Sequence, residues 1–310
     1  MDGIINVLKP PGMTSHDVVY FVRKITGAKK CGHTGTLDPG ATGVLPVCLG
    51  KATRLARFVT EGNKSYRAEM TLGVSTTTQD AFGDIVELKD AFQIYPEQID
   101  NLLPSFIGDI KQTPPMASAI KINGQRLYDL ARQGQSIDVP TRIVTIFDLR
   151  VVQSNNWGTA HPRILFDVTC SKGTYVRTLC ADIGRALGCG AYMSFLLRTR
   201  VAGFSIDHAY TLEDLTDLAG AGQISLAVVP MVQAVNHLPL VEINPTAQRA
   251  VCSGATLYPA GVKRISGPIK EDAMVRVQSG QNLLGIYRAV QDMDTGTKRI
   301  IFKPEVVLGE

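Results

Sequence analysis

At 310 residues, 45% hydrophobic and 19% charged, the chain is long enough for a sizeable core and for two domains of ordinary size, which excludes a disordered or fibrous protein. Its net charge of +4 excludes a wholesale polycation. The charge is uneven, however: residues 1–64 carry nine Lys/Arg against four Asp/Glu, residues 249–310 nine against six, and residues 201–248 five acids and no base. That distribution fits two surfaces meeting one phosphate-bearing partner, and fits ordinary solvated charge about as well. No apolar run approaches the roughly 20 residues that cross a bilayer, so a membrane role has no support. The six cysteines form no C-x-x-C pair and no basic-then-apolar leader opens the chain, which reads as a reducing cytoplasm. Cys31 and His33 lack a second pair at ligand spacing, so no metal is expected.

Ile4 to Leu8 reads as a strand ended by Lys9-Pro10-Pro11-Gly12. Thr14 or Ser15 caps a helix with Asp17 in its first turn, an apolar stripe of Val18, Val19, Phe21, Val22 and Ile25, and an end near Gly27. Asp38 follows in a glycine- and threonine-rich loop. It is the one carboxylate between Asp17 and Glu61, with Lys29, Lys30, Lys51 and Arg54 nearby in sequence. A lone acid in basic company suits a nucleophile or base facing a polyanion, although Asp before Pro is also a common turn former. Val44 to Leu49 reads as a strand at an edge or bulged, because Pro46 cannot donate to a ladder, and Ala52 to Thr60 reads as helical.

The alternation Tyr66, Ala68, Met70, Leu72 predicts a half-buried strand, residues 74–84 a loop, and Tyr95 to Ile107 a helix. Residues 111–142 mix Pro and Gly with five Lys/Arg against two Asp, and read as a mobile basic excursion with a short helical pattern around Leu127, Leu130 and Ala131. Ile164 to Cys170 alternates as a strand, and helical periodicity from Tyr175 to Leu187 puts Arg177 in the first turn of a helix. Beyond about residue 240, short apolar runs separated by Ser-Gly and Pro-Ala-Gly predict a small β-barrel-like domain. The expected fold class is therefore α+β, a mixed, mainly antiparallel sheet flanked by helices over 1–238 and a smaller all-β unit over 239–310. Gly43 to Lys51 is no phosphate-cradling P-loop, since six residues separate Gly43 from Gly50 and Ala52 stands where Ser or Thr is required. Ser15 and His16 lack a nucleophile-elbow context.

The run Gly32-His33-Thr34-Gly35-Thr36-Leu37-Asp38-Pro39, followed by Ala41-Thr42-Gly43-Val44-Leu45-Pro46, closely resembles the signature of pseudouridine synthases of the TruB family. Lys9 to Ser15, Lys64-Ser65-Tyr66-Arg67 and Cys170 to Thr178 extend the resemblance in the family's order, and Val241 through Tyr287 is similar to a PUA RNA-binding domain. Departures are small: Gly40 stands where leucine is frequent, and Thr36 where alanine also occurs.

The resemblance implies a cofactor-independent bacterial enzyme that converts uridine 55 of the tRNA T loop to pseudouridine as a monomer without an obligatory protein partner. It makes Asp38 the catalytic residue, which would attack C1′, add to C6 or remove a sugar proton. It makes Tyr66 the stacking partner of the flipped uracil, and Arg177 a two-bond partner that holds the Asp38 pKa down. It also carries His33 over as support for the disrupted T loop, Tyr175 and Leu197 as pocket lining, Lys9 and Asp80 as polar positions near the RNA or active site, and residues 111–142 as an insertion that closes on the stem-loop. Three rivals rank below this reading: a non-catalytic RNA-binding or folding protein on the same scaffold, a relative working inside a guide-RNA particle, and, more distantly, a nucleoside hydrolase.

Overall fold

The computed structural model describes residues 1–309 other than 119, 123, 136 and 293–298. In chain order the first half runs β1 (Gly3–Lys9), α1 (Ser15–Thr26), β2 (Cys31–His33), β3 (Thr42–Leu49), α2 (Ala56–Thr60), β4 (Lys64–Leu72), β5 (Val74–Thr76), β6 (Ile85–Leu88), α3 (Pro96–Leu102) and β7 (Gly108–Gln112). It continues through β8 (Lys121–Ile122), β9 (Gln125–Arg126), α4 (Leu127–Arg132), β10 (Arg142–Asn155), β11 (Arg163–Cys170), α5 (Val176–Ala186), β12 (Ala191–Val201), β13 (Phe204–Ser205), α6 (Leu212–Gly220), β14 (Val228–Val229) and α7 (Met231–Ala234). The last part holds β15 (Leu240–Ile243), α8 (Gln248–Cys252), β16 (Val262–Ile265), β17 (Met274–Ser279), β18 (Asn282–Asp292) and β19 (Arg299–Val307).

Among the described residues ten strands form one sheet, in the order β14-β1-β3-β12-β4-β11-β10-β7, with β2 beside β3 and β13 beside β12. Only β3 and β12 run parallel in it, so the sheet is mixed and mainly antiparallel, as the sequence led us to expect. Strict alternation explains β4: Tyr66, Ala68 and Met70 turn inward against Ile164, Phe166 and Val168 of β11, and α5 closes that core with Leu179, Cys180 and Ile183. β1 and β3 are apolar at nearly every position because both their faces are covered. Ile5, Val7, Leu45 and Val47 meet α1 and α6, while Ile4, Val44 and Cys48 pack with Val59, Val201 and Phe204.

Helix α1 starts on a capping box, Asp17 N–H donating to Thr14 Oγ1 at 3.1 Å and Thr14 N–H to Asp17 Oδ2 at 2.8 Å, and stops at Gly27, whose φ of +63° admits the left-handed cap. A second, five-stranded sheet, β16-β15-β17-β18-β19, carries its own core around Val241, Val275, Val277, Tyr287 and Phe302. It is seated on the first unit through Leu283, Ile286 and Leu308 against Leu55 and Phe58.

Three sequence expectations change. β3 is an interior strand: Pro46 sits opposite Asn6 of β1, and its carbonyl accepts from Thr34 N–H at 3.1 Å. The amide nitrogen and carbonyl of one strand residue point the same way, so the missing donor of Pro46 faces the gap where the neighbour of β3 changes from β12 to β2. Residues 74–84 are not all loop, since β5 pairs with β6 as a hairpin. Residues 111–142 are more ordered than an irregular excursion: the hairpin β8–β9 and α4 enclose an apolar cluster of Leu127, Leu130 and Val139 with Met116 and Ile122. Positions 119, 123 and 136 of that stretch lie outside the described residues.

Candidate active site

Asp38 lies in the connection between β2 and β3, and buried polar side chains fix the backbone on both sides of it. Upstream, Ser15 Oγ donates to Leu37 O at 3.1 Å and accepts from Leu37 N–H at 2.8 Å. Arg198, 1% exposed in β12, donates to Gly35 O at 3.1 Å, Thr36 O at 3.3 Å and Val44 O at 2.8 Å. Downstream, the fully buried ammonium of Lys9 donates to Pro10 O at 2.9 Å, Pro39 O at 3.2 Å and Ala41 O at 2.6 Å. A turn bond from Ala41 N–H to Asp38 O closes the loop at 3.0 Å. The Asp38 side chain itself is 41% exposed.

Arg177 enters from the first turn of α5, as its position just past β11 led us to expect, and is 4% exposed. Its Nε makes an ion pair with Asp38 Oδ2 at 3.1 Å. One terminal nitrogen faces Asp80 Oδ2 at 3.5 Å and donates to Thr78 O at 3.1 Å, and the other donates to Ala117 O at 2.9 Å. The expected two-bond fork on Asp38 is therefore replaced by one contact, with the guanidinium shared between two carboxylates. The expected depression of the Asp38 pKa also does not follow. Burial pushes the carboxyl above its ordinary value, Arg177 pulls it back, Asp80 pushes it up again, and the net direction is upward.

Tyr66 and Arg198 are cross-strand partners on β4 and β12. Burial raises the Tyr66 phenol to about 12, which keeps it protonated, and the Arg198 charge opposes that rise. The same arginine thus stands beside Tyr66 and holds the carbonyls leading to Asp38. Asp80, 9% exposed, accepts at its second oxygen from Thr78 Oγ1 at 2.5 Å and from Phe82 N–H at 3.0 Å. Tyr175 stands at the N-cap of α5, two residues before Arg177, where Gln112 bonds both its N–H (3.0 Å) and its carbonyl (3.2 Å) and the Arg142 guanidinium lies 5.3 Å from its ring centre. His33, half-buried in β2, accepts from Gly35 N–H at Nδ1 (3.2 Å) and meets His16 edge-on at 5.8 Å; burial, followed by His16 and Arg198, lowers its pKa.

One expected site residue falls elsewhere. Leu197 pairs with Arg67, so it faces the side of the sheet opposite Tyr66, and its neighbour Leu196, opposite Ala68, lies on the Tyr66 face. Lys9 lies at the Asp38 loop, but as a buried strut whose donors all serve backbone carbonyls; burial lowers its pKa to about 8. Arg198 was not anticipated at all. Its one sequence signal is a charged residue at an inward position of an alternating strand. Among the described residues no group of three or more His, Cys, Asp or Glu could hold a metal, and no helix is long and apolar enough to cross a membrane.

The assembly of an open carboxylate, a guanidinium, a buried phenol and a separate β unit has counterparts in known proteins. Residues 23–176 match the model of the TruB family pseudouridylate synthase N-terminal domain, 177–236 the tRNA pseudouridylate synthase B C-terminal domain, and 239–294 the PUA domain. The tRNA pseudouridine synthase B of Pelotomaculum thermopropionicum is 47% identical over 99% of this chain and 97% of its own length. That of Bacillus pumilus is 42% identical over 100% and 98%. Among solved structures, a chain of the H/ACA RNP bound to a substrate RNA containing 2'-deoxyuridine superposes with a TM-score of 0.77 at 31% identity, covering 99% of this chain and 85% of that one. A chain of the Cbf5-Nop10-Gar1 complex gives a TM-score of 0.77 at 33% identity over 99% and 84%. Matched in order by all three models and along nearly the full length of these relatives, the chain belongs to the TruB family of tRNA pseudouridine synthases.

Proposed function

We propose that this protein converts the uridine at position 55 in the T loop of tRNA to pseudouridine, with Asp38 as the essential group and no cofactor. The observation that carries the reading is the pinned loop that holds the partly exposed Asp38 carboxylate 3.1 Å from a buried guanidinium. The reaction breaks N1–C1′ of the uridine, turns the base, joins C5 to C1′ and moves one proton from C5 to N1, so it needs neither oxidant nor water. The target is hidden in folded RNA, and it must be extruded at a cost of a few kcal/mol that stacking in the pocket offsets. Tyr66, held protonated beside Arg198, is the stacking surface. In this reading Tyr175 and Leu196 serve as pocket lining and His33 supports the disrupted loop.

Arg177 orients Asp38, and Asp80 in turn holds Arg177. The basic stretch 111–142 reaches this centre through the Ala117 carbonyl and folds over the stem-loop, residues 1–238 forming the catalytic unit and 239–310 the second RNA-binding unit. Shape, extruded bases and phosphates suffice for recognition of such RNA. The enzyme acts as a monomer in the cytoplasm, without an obligatory partner. The test is release of tritium from C5-labelled uridine in a T-arm stem-loop transcript. Release is expected from the normal transcript and none above background when uridine 55 alone is replaced by cytidine; undiminished release from the cytidine transcript would refute the assignment of position.

A further inference from the structure

Phe82 is a large apolar side chain left 79% exposed, on the hairpin that joins β5 to β6. Exposure alone says little, but the backbone that carries this ring is held in place. Its N–H donates to Asp80 Oδ1, and the other oxygen of Asp80 faces Arg177, whose Nε contacts Asp38. The ring lies against Gly40, two residues beyond Asp38: a Cβ built there would collide with Cε2 and Cζ of Phe82. Gly40 does not have a positive φ, so the aromatic ring, and not the backbone, is what keeps the position bare. An exposed aromatic face is thus presented beside the loop that carries Asp38.

We propose that Phe82 is a positioning residue whose ring stacks on an unpaired nucleobase of the RNA loop that carries the extruded uridine. The proposal rests on the pseudouridine synthase reading of Asp38 and deepens it. Every base has a π-face, and stacking on an exposed aromatic contributes without a sequence code. The turn set by Asp80 fixes the backbone that carries the ring before RNA arrives, so only the side chain is left to order on binding.

The experiment is steady-state tritium release from a C5-labelled T-arm stem-loop, with thermal unfolding run in parallel. Phe82→Ala raises KM by about 5- to 100-fold, with the larger share of the loss in KM and little change in melting temperature. Phe82→Tyr and Phe82→Trp restore KM, and Phe82→Leu, which keeps apolar bulk without the ring, does not. Val86→Ala, at an equally apolar position 65% exposed on the same hairpin, leaves KM unchanged. Gly40→Leu displaces the ring while the fold persists, because only the far end of a mobile side chain must move; it mimics Phe82→Ala, and the double variant is no worse than either single one. The proposal is overturned if Phe82→Ala keeps a native KM, or if Phe82→Leu restores KM as well as Tyr does. If the native protein itself releases no tritium, the functional reading fails; if native turnover is normal and Phe82→Ala matches it, only the stacking role does.

Discussion

Replacing Arg198 by methionine separates the scaffold of the site from its chemistry. The side chain is 1% exposed and gives hydrogen bonds to the carbonyls of Gly35, Thr36 and Val44, beside the Tyr66 phenol. Methionine fills much of the same volume but leaves three carbonyls without this donor, at about 1–3 kcal/mol for each that water cannot reach. Against this stands the relief of no longer burying a guanidinium, itself several kcal/mol. The net loss works out at about 2–4 kcal/mol, or roughly 4–12 °C in melting temperature for a chain of this size. Turnover falls further than stability, because Tyr66 and the Asp38 loop lose their common neighbour together. Arg198→Lys recovers stability only in part, since one ammonium cannot meet acceptors on a strand and a loop at once. Differential scanning calorimetry with single-turnover tritium release measures both. An Arg198→Met protein melting within about 2 °C of native with native turnover would refute the reasoning.

Other perturbations test separate links. Arg177→Gln removes the cation that opposes the burial of Asp38, so the carboxyl rises further and the acid limb of the pH–rate profile, where Asp38 must be ionised, moves to higher pH. An unmoved limb would show that Asp38 is not the group titrating. Gly43→Ala is expected to cost about 2–5 kcal/mol in urea unfolding, because φ is +115° and a Cβ there would strike the Arg198 backbone across the parallel pair; a loss below 1 kcal/mol would mean that β3 and β12 are not so closely apposed. Leu196→Ala lowers stability by about 2–4 kcal/mol and turnover with it, whereas Leu197→Ala leaves turnover near native. The reverse order would indicate a slipped register.

Where one residue type has one local meaning, the sequence was a good guide. The period-2 pattern at Tyr66, Ala68 and Met70 specified β4 and its inward face, and the Thr14/Asp17 pair with Gly27 marked both ends of α1. The isolation of Asp38 among glycines and threonines, with bases nearby in sequence, drew attention to the loop that Ser15, Arg198 and Lys9 pin. What escaped were groups whose meaning depends on partners far along the chain. Arg198 bonds carbonyls more than 150 positions away, and its one local signal, a charge at an inward position of an alternating strand, names none of them. Lys9 beside two prolines reads as a polar turn residue, yet its ammonium is a buried strut. Leu197 differed from Leu196 by one position, and in a strand one position is a whole face. Pro46 looked like an edge marker because a ladder with two different neighbours, β12 and then β2, cannot be read from one strand.

The most direct measurement of the central claim is single-turnover tritium release by the Asp38→Asn protein, alongside its binding of the same T-arm RNA. The substitution keeps the side-chain shape and the pinned backbone of the loop and removes only the negative charge. The account predicts RNA binding close to native and no release above background. Release at a rate approaching native would contradict it.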